Sequence, residues 1–423
     1  MRTADNGVRR YQLILGSLFA AVSAIYLLAV HQTGMETEVM SVYFPYADEL
    51  MHGGVPETEY PPLTLVFIAA PRLFAETPFC YNIAFVAEVC IFFMVGLLIM
   101  GKLAKRYNQS QHKAILAYTG LMLLLVEFAV DRYDMFPAIL TLLSFYCLVT
   151  KRYALAFVLL SMATMTKLYP AVLFPIYLIP FLMNKDWRNA LKGTGLFFAV
   201  AVLIALPFAL LGPDSALNFF DYQMGRPLHI ESVAASFIHI VSVLGMTDAF
   251  VLPGYGSEFL AGPWPDAAAQ YLMPMMFAVL IAIYALYAYM LFGLRKDRQD
   301  NENDRMILLG GSVLLSLLAF ILIGKIFSPQ YIIWIVPFII FMLMTSIDHV
   351  SKKRILMLSI AAIALTQLKF VMNTFVDGAD IADINMLIIL ARNVVVLVLF
   401  AYVLWTCKKN IGRRWRRAQQ PDA

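Results

Sequence analysis

The sequence predicts an all-α polytopic membrane protein, and three observations predict it. Of the 423 residues 61% are hydrophobic and 14% charged, and the mean hydropathy is +0.74, outside the range of soluble domains. The apolar residues gather in runs of roughly 15–25, the length a helix needs to cross a bilayer. The lysines and arginines gather between those runs, at Arg9-Arg10, Lys102 to Lys113, Lys151-Arg152, Lys185 to Lys192, Arg295 to Arg305, Lys352 to Arg354 and Lys408 to Arg417.

Cytoplasmic loops carry the Lys/Arg excess, so a topology that puts all these clusters on one side is the one to seek, and about twelve crossings achieve it. The first run, over residues 11–31, follows Arg9-Arg10, is long enough to span and meets no small-residue cleavage site, so it reads as an uncleaved helix. The next spans are 79–101 up to Lys102, 114–130 from Lys113 to Asp131, 135–150 up to Lys151, 153–166 up to Lys167, and 168–183 ahead of Lys185. Beyond Lys192 come 194–212, then 268–293 ahead of Arg295, 306–324 after Arg305, 327–346, 355–371 after Arg354, and 386–405 ahead of Lys408. Two apolar runs are left out. Pro62 to Phe74 and Val233 to Leu244 are too short to cross, and counting either would export a basic cluster; both read as short helices lying at the outer interface. Residues 1–423 read as one integral membrane domain, with outer loops 32–78 and 213–267 and both termini cytoplasmic. Cys80, Cys90, Cys147 and Cys407 lack metal-ligand spacing and form no disulfide framework.

Under this topology the polar residues in unusual places share the outer face. Glu36, Glu38, Asp48, Glu57 and Glu59 lie in the first loop, Asp131 and Asp134 in "DRYD", Lys167 in "TKLYP", Arg226, His229 and Glu231 in "GRPLHIES", and Lys325 and Gln330 in "GKIFSPQY". Inward lysines serve as topology signals, whereas the outward Lys167, Lys325 and Lys369 need another cause. Simple roles exist for each. Lys167 could snorkel to lipid headgroups, Arg226 and Glu59 could be solvated loop charges, Asp134 could cap a helix, His229 could be structural, and Gln330 could satisfy backbone freed by Pro329. Trp264 and Trp334 suit interface anchors.

Five blocks carry a resemblance: "VYFPYADELMHGGVPETEYPPL" (Val42 to Leu63), "DRYDMFPAILTLL" (Asp131 to Leu143), "TKLYPAVLFP" (Thr166 to Pro175), "GRPLHIESVAAS" (Gly225 to Ser236) and "GKIFSPQYIIW" (Gly324 to Trp334). In this order they resemble glycosyltransferase family 87, whose members have the GT-C architecture and use polyprenyl-phosphate sugars. The resemblance implies a transferase of the plasma membrane working at the outer face, moving mannose or another hexose or pentose from a polyprenyl-monophosphate donor to a lipid or glycan hydroxyl. It also implies an Asp early in the first outer loop as catalytic base. This chain has Glu36 and Glu38 there, ahead of Tyr43, and the role passes to Glu38, with Glu59 and Asp134 as further catalytic candidates.

The chemistry explains why these residue types would gather. An acceptor hydroxyl attacking the anomeric carbon needs a carboxylate to take its proton. The departing polyprenyl phosphate gains negative charge as the glycosidic bond breaks, and a fixed cation stabilises it where the charge develops. Lys167, Arg226 and Lys325 are the candidates for that phosphate. Tyr60, His229, Glu231 and Gln330 are the candidates for holding substrate. A single displacement inverts the anomeric centre. No cofactor is required; outer carboxylates could hold a divalent ion, but with three candidate cations none is needed. Membrane lipids are expected partners and nucleic acid is not. A transporter or lipid-linked-glycan flippase is the alternative, though its charges belong near the bilayer midplane within paired repeats. An enzyme ligating preassembled glycans from a diphosphate donor is a third.

Overall fold

A computed structural model describes residues 2–296, 302–375 and 381–418. The chain divides into two compact units, Met1–Phe174 with Lys185–Met224, and Pro175–Asn184 with Gly225–Ala423.

The first unit contains α1 (Arg2–Thr33), α2 (Phe44–Met51), α3 (Pro62–Arg72), α4 (Pro78–Arg106), α5 (Gln111–Leu123), α6 (Val126–Val130), α7 (Met135–Val149) and α8 (Tyr153–Thr166). After α9 (Phe174–Met183), which belongs to the second unit from Pro175 on, come α10 (Trp187–Leu211) and α11 (Pro213–Gly225). Helix starts follow local chemistry. Pro78 opens α4, where its missing N–H is one that helices leave unpaired anyway, and Thr77 accepts the Cys80 N–H at 3.3 Å. Ser110 and Asp186 cap α5 and α10 in the same way.

Helix α7 is buried along nearly its whole length. Ser144 Oγ donates to the Ala156 carbonyl (2.7 Å) and Ser161 Oγ to the Phe197 carbonyl (2.7 Å), so hydroxyls in apolar surroundings keep partners. Against α8, α10 approaches closely at Gly193, where a Cβ would lie 2.4 Å from the Phe157 ring. Little else of α10 is covered: only 6% of its apolar window is buried, as suits a helix with a face for lipid.

The second unit holds β1 (Leu228–His229), α12 (Val233–Val243), β2 (Phe250–Gly254), β3 (Ser257–Ala261), α13 (Pro263–Lys296), α14 (Glu302–Ile323), α15 (Ile332–Met344), α16 (His349–Phe375) and α17 (Ile381–Ala418). Its centre is α14, whose apolar window is 83% buried, as expected of a helix hydrophobic all round. The strands form an antiparallel sheet in the order β1-β3-β2, with Leu228 opposite Leu260 and His229 opposite Phe259. Leu228, Ala235, Ile238, Leu260 and Leu272 make one apolar cluster that seats this sheet and α12 on α13.

Among the described residues seven helices are long and apolar enough to cross a membrane: α1, α4, α10, α13, α14, α16 and α17. Shorter apolar helices at Met135–Val149, Tyr153–Thr166, Tyr169–Met183 and Pro329–Met344 occupy four other predicted spans. The excluded runs form α3 and α12, of 11 residues each, or about 16 Å at 1.5 Å per residue. Some expectations change. The predicted helix 114–130 is broken between Leu123 and Val126, where Leu125 leaves helical geometry (φ −120°, ψ 20°) with no Pro or Gly to announce it. The loop 213–267 carries α11 and a hairpin besides α12; the Tyr255-Gly256 turn has φ of 50° and 66°, the double positive φ of a two-residue hairpin turn. Trp334 is 1% exposed and stacks on Tyr331 at 3.8 Å, so it is a core residue and not an interface anchor, whereas Trp264 is 50% exposed.

The α8–α10 contact makes a paired prediction. Gly193→Leu drives a side chain into Phe157 and lowers the thermal stability of the purified protein by about 1–3 kcal/mol. Gly195→Leu, on the same helix but with nothing within 4 Å of its Cβ position, leaves the melting temperature at the wild-type value.

Candidate active site

In the first unit, interruptions of regular helix in three segments present the predicted residues Glu38, Asp134 and Lys167. Glu38 precedes a π-helical turn, Val39–Tyr43, whose wide pitch brings the phenol five residues on back to it. Tyr43 Oη donates to Glu38 Oε1 at 2.8 Å, and Tyr60 Oη donates to the same oxygen at 2.9 Å. Arg132 ion-pairs with the other carboxylate oxygen. Burial first, then neighbouring acidic groups, holds the Tyr43 and Tyr60 phenols well above the usual range, so both stay protonated as donors. Glu59 is half-buried and accepts from Tyr46 Oη at 3.3 Å. Glu36 is exposed.

The "DRYD" turn between α6 and α7 sends its side chains to different partners. Asp131 accepts from Tyr26 Oη of α1 at 3.0 Å, and burial pushes its carboxyl up to about 6. Tyr133 packs edge-on to Tyr60 (4.8 Å) and Tyr43 (6.0 Å), and the Lys167 ammonium lies 4.5 Å from its ring centre. Asp134 occupies the N-cap position of α7 but makes no side-chain cap bond. Its Oδ1 instead accepts from Lys167 Nζ at 2.7 Å, with the Asp134 side chain 1% and the Lys167 side chain 16% exposed.

The local fold explains this pair. Helices α7 and α8 form a hairpin, so the N-terminus of one and the C-terminus of the other share its open end, where the helix dipoles favour an anion and a cation respectively. At Lys167 the backbone turns extended (φ −156°, ψ 138°), and Thr64 Oγ1 of α3 donates to the Thr166 carbonyl that the ending helix leaves open. Pro170 then starts a 3-10 turn, Tyr169–Leu173.

The second unit gathers the remaining candidates. His229 lies in β1, its Nε2 2.7 Å from Ser257 Oγ and its N–H donating to the Lys325 carbonyl at 3.0 Å. The Arg226 guanidinium sits 5.6 Å from the Phe259 ring centre. Burial and the Arg226 charge both lower Lys325, and burial holds His229 neutral, down to about 4. Gln330 is half-buried in the 3-10 turn Pro329–Tyr331 ahead of α15. Glu231 is 4% exposed; Lys369 Nζ reaches its Oε1 at 2.9 Å and Arg392 Nη1 its Oε2 at 2.6 Å. Burial alone would raise that carboxyl, but the two cations outweigh it and hold it below the usual range. Both Glu231 oxygens are therefore engaged by protein cations.

Each predicted site residue thus falls in one of two clusters. Glu38, Glu59, Tyr60, Asp134 and Lys167 lie in the first unit, and Arg226, His229, Glu231, Lys325 and Gln330 in the second. Sequence reasoning passed over Arg132 and Tyr133, although both stand inside a motif it used, and over Arg392 and Asn393. Those two interrupt the apolar run 386–405, and an ionisable residue at membrane depth is a functional signal in itself. Among the described residues no group of three or more His, Cys, Asp and Glu could hold a metal ion.

The glycosyltransferase family 87 model matches residues 58–321, more than half of the chain, beginning just before Glu59 and covering the "DRYD", "TKLYP" and "GRPLHIES" segments. Together with the helices of crossing length, this makes the protein a multi-pass membrane glycosyltransferase. The chain belongs to glycosyltransferase family 87, which sets the transporter and flippase alternative aside. Among solved structures, the crystal structure of ArnT from Cupriavidus metallidurans bound to undecaprenyl phosphate is similar, with a TM-score of 0.46 and 14% identity, covering 94% of this chain and 77% of that one. No curated protein matches the sequence.

The Asp134–Lys167 pair generates a stability prediction. Lys167→Gln removes a charge-assisted hydrogen bond to the buried Asp134 carboxylate, which costs about 1.5–3 kcal/mol and lowers the melting temperature in detergent. The double variant Lys167→Gln/Asp134→Asn removes the buried carboxylate charge as well and recovers most of that loss. Equal melting temperatures for wild type and Lys167→Gln would show that the pair contributes nothing to the fold.

Proposed function

We propose that the protein transfers one sugar, mannose or another hexose or pentose, from a polyprenyl-monophosphate donor to a hydroxyl of a lipid or glycan acceptor. Transfer takes place at the outer face of the plasma membrane, both termini are cytoplasmic, and the anomeric configuration inverts. The observation that carries this reading is the state of Glu38. A carboxylate offers about four lone-pair sites; Tyr43, Tyr60 and Arg132 take up three, which fixes its orientation and leaves one for an acceptor hydroxyl. A base held by its neighbours in this way is the arrangement that aligned attack requires.

In the proposed displacement the acceptor oxygen forms its bond to the anomeric carbon as its proton passes to Glu38, and the bond from that carbon to the phosphate oxygen breaks. The leaving polyprenyl phosphate takes the electron pair, and a lysine or arginine beside it stabilises the developing charge. Lys167 is proposed for such a role in the first unit, with Asp134 holding it in place. Arg226 and Lys325 are proposed as phosphate-binding cations of the second unit. No step calls for a cofactor.

The test compares Glu38→Gln with Glu59→Gln, using purified protein, radiolabelled polyprenyl-monophosphate mannose and a membrane lipid extract as acceptor. Glu38→Gln lowers turnover by about 10²-fold or more, because an amide cannot accept the proton; it also gives up the ion pair with Arg132, so turnover is measured well below the melting temperature of each variant. Glu59→Gln stays within a few-fold of wild type. The reverse pattern moves the base to "EYPP", and activity in both variants overturns a carboxylate base in the first outer loop.

A further inference from the structure

Arg392 lies in α17 and is 1% exposed, an arginine enclosed in a stretch otherwise built for lipid. Its Nη1 donates to Glu231 Oε2 at 2.6 Å and its Nη2 to the Glu231 carbonyl at 2.8 Å, so one side chain grips both the side chain and the backbone of a single residue. The neighbouring Asn393 continues the grip. Its Nδ2 donates to the Glu231 carbonyl (3.1 Å), the Ser232 carbonyl (3.2 Å) and Ser236 Oγ (2.8 Å), while its Oδ1 accepts from Arg392 Nε and Nη2 at 3.1 and 3.0 Å. The flat face of the same guanidinium lies 4.0 Å from the ring centre of Phe327.

Two segments are held by this one group, the loop that carries Arg226 and His229 and the loop that carries Lys325 and Gln330. Those segments are also tied directly, through the His229 N–H and the Lys325 carbonyl. We propose that Arg392, supported by Asn393, is a positioning residue that sets the placement of Arg226, His229 and Lys325 for the donor phosphate; this rests on the phosphate-binding role given to Arg226 and Lys325 above.

Physical chemistry favours placement over bulk stability as its function. A buried ion pair contributes little net stability compared with apolar residues of the same size. Glu231 moreover has a second cation, Lys369, so replacing Arg392 does not strand a carboxylate. What only Arg392 supplies is a rigid planar fork, matched simultaneously to a carboxylate, a backbone carbonyl and an aromatic face. A lysine would keep the charge and lose that geometry.

The experiment uses the full chain in detergent or nanodiscs. For Arg392→Lys, Asn393→Ala and Arg226→Gln it measures melting temperature, binding of a polyprenyl monophosphate, and kcat and KM for polyprenyl-monophosphate mannose. Arg392→Lys raises the donor KM about ten-fold or more, the scale of one lost charge-assisted hydrogen bond, with kcat within about two-fold and a melting temperature near wild type. Asn393→Ala, which leaves the Glu231 ion pairs in place, shifts KM in the same direction by a smaller factor. If Arg226→Gln weakens donor binding while Arg392→Lys and Asn393→Ala bind as wild type, the positioning role is overturned. If Arg226→Gln itself binds the lipid as wild type, the phosphate-binding reading fails instead. Should Arg392→Lys not purify, an unchanged donor KM in Asn393→Ala overturns the positioning role by itself.

Discussion

A charged group removed from water must find an opposite charge or give up its own, and this constraint organises both units. Glu38 meets Arg132, Asp134 meets Lys167, and Glu231 meets Arg392 and Lys369. Glu231 and Arg392 join segments 161 residues apart, whereas Asp134 and Lys167 close the open end of the hairpin of neighbouring helices α7 and α8. The pairs therefore select among arrangements of helices whose apolar faces would otherwise pack in many ways. Asp134 and Lys167 add a further match, because their charges agree with the dipoles of the two helix ends that carry them. Such a pair costs nothing in helix geometry and sits where the hairpin opens.

Departures from regular helix are what present these groups. The π turn before Tyr43, the extended residue at Lys167 and the 3-10 turns at Tyr169–Leu173 and Pro329–Tyr331 fall next to candidate residues. Backbone groups freed at such breaks need partners when little water is present, and the structure supplies some of them from side chains, as Thr64 does for the Thr166 carbonyl. The tyrosines serve two ends. Tyr43, Tyr60 and Tyr133 fill the space between the Glu38 and Lys167 groups with edge-on ring contacts, and two of them turn their hydroxyls to Glu38.

Much of the architecture was legible because membrane helices announce themselves by composition. The predicted 79–101 lies within α4 and 306–324 falls within α14 except for its last residue, and the two short runs excluded on charge grounds form helices of 11 residues. The break after Leu123 was not legible, since three consecutive leucines carry no turn signal. Neither was the β2–β3 hairpin, whose Tyr255-Gly256 turn departs from the Asn-Gly or Asp-Gly pattern by which such turns are recognised. For the site, the motifs name residues that the fold gathers into two clusters, but they do not give the pairings. Lys167 stood out as an outward lysine, yet only the fold shows that a buried aspartate holds it. Arg392 was visible as a charge in an apolar run and was absorbed into a span, because hydropathy averages a single arginine away.

The central claim is that the sugar comes from a polyprenyl monophosphate and is transferred, not merely carried across the membrane. Purified protein in nanodiscs, given radiolabelled polyprenyl-monophosphate mannose or the corresponding nucleotide sugar together with a membrane lipid extract, tests it most directly. The account predicts label in a new glycoside of inverted anomeric configuration from the lipid donor and none from the nucleotide sugar. Translocation of the lipid without a glycosidic product, or transfer from the nucleotide sugar alone, would contradict it.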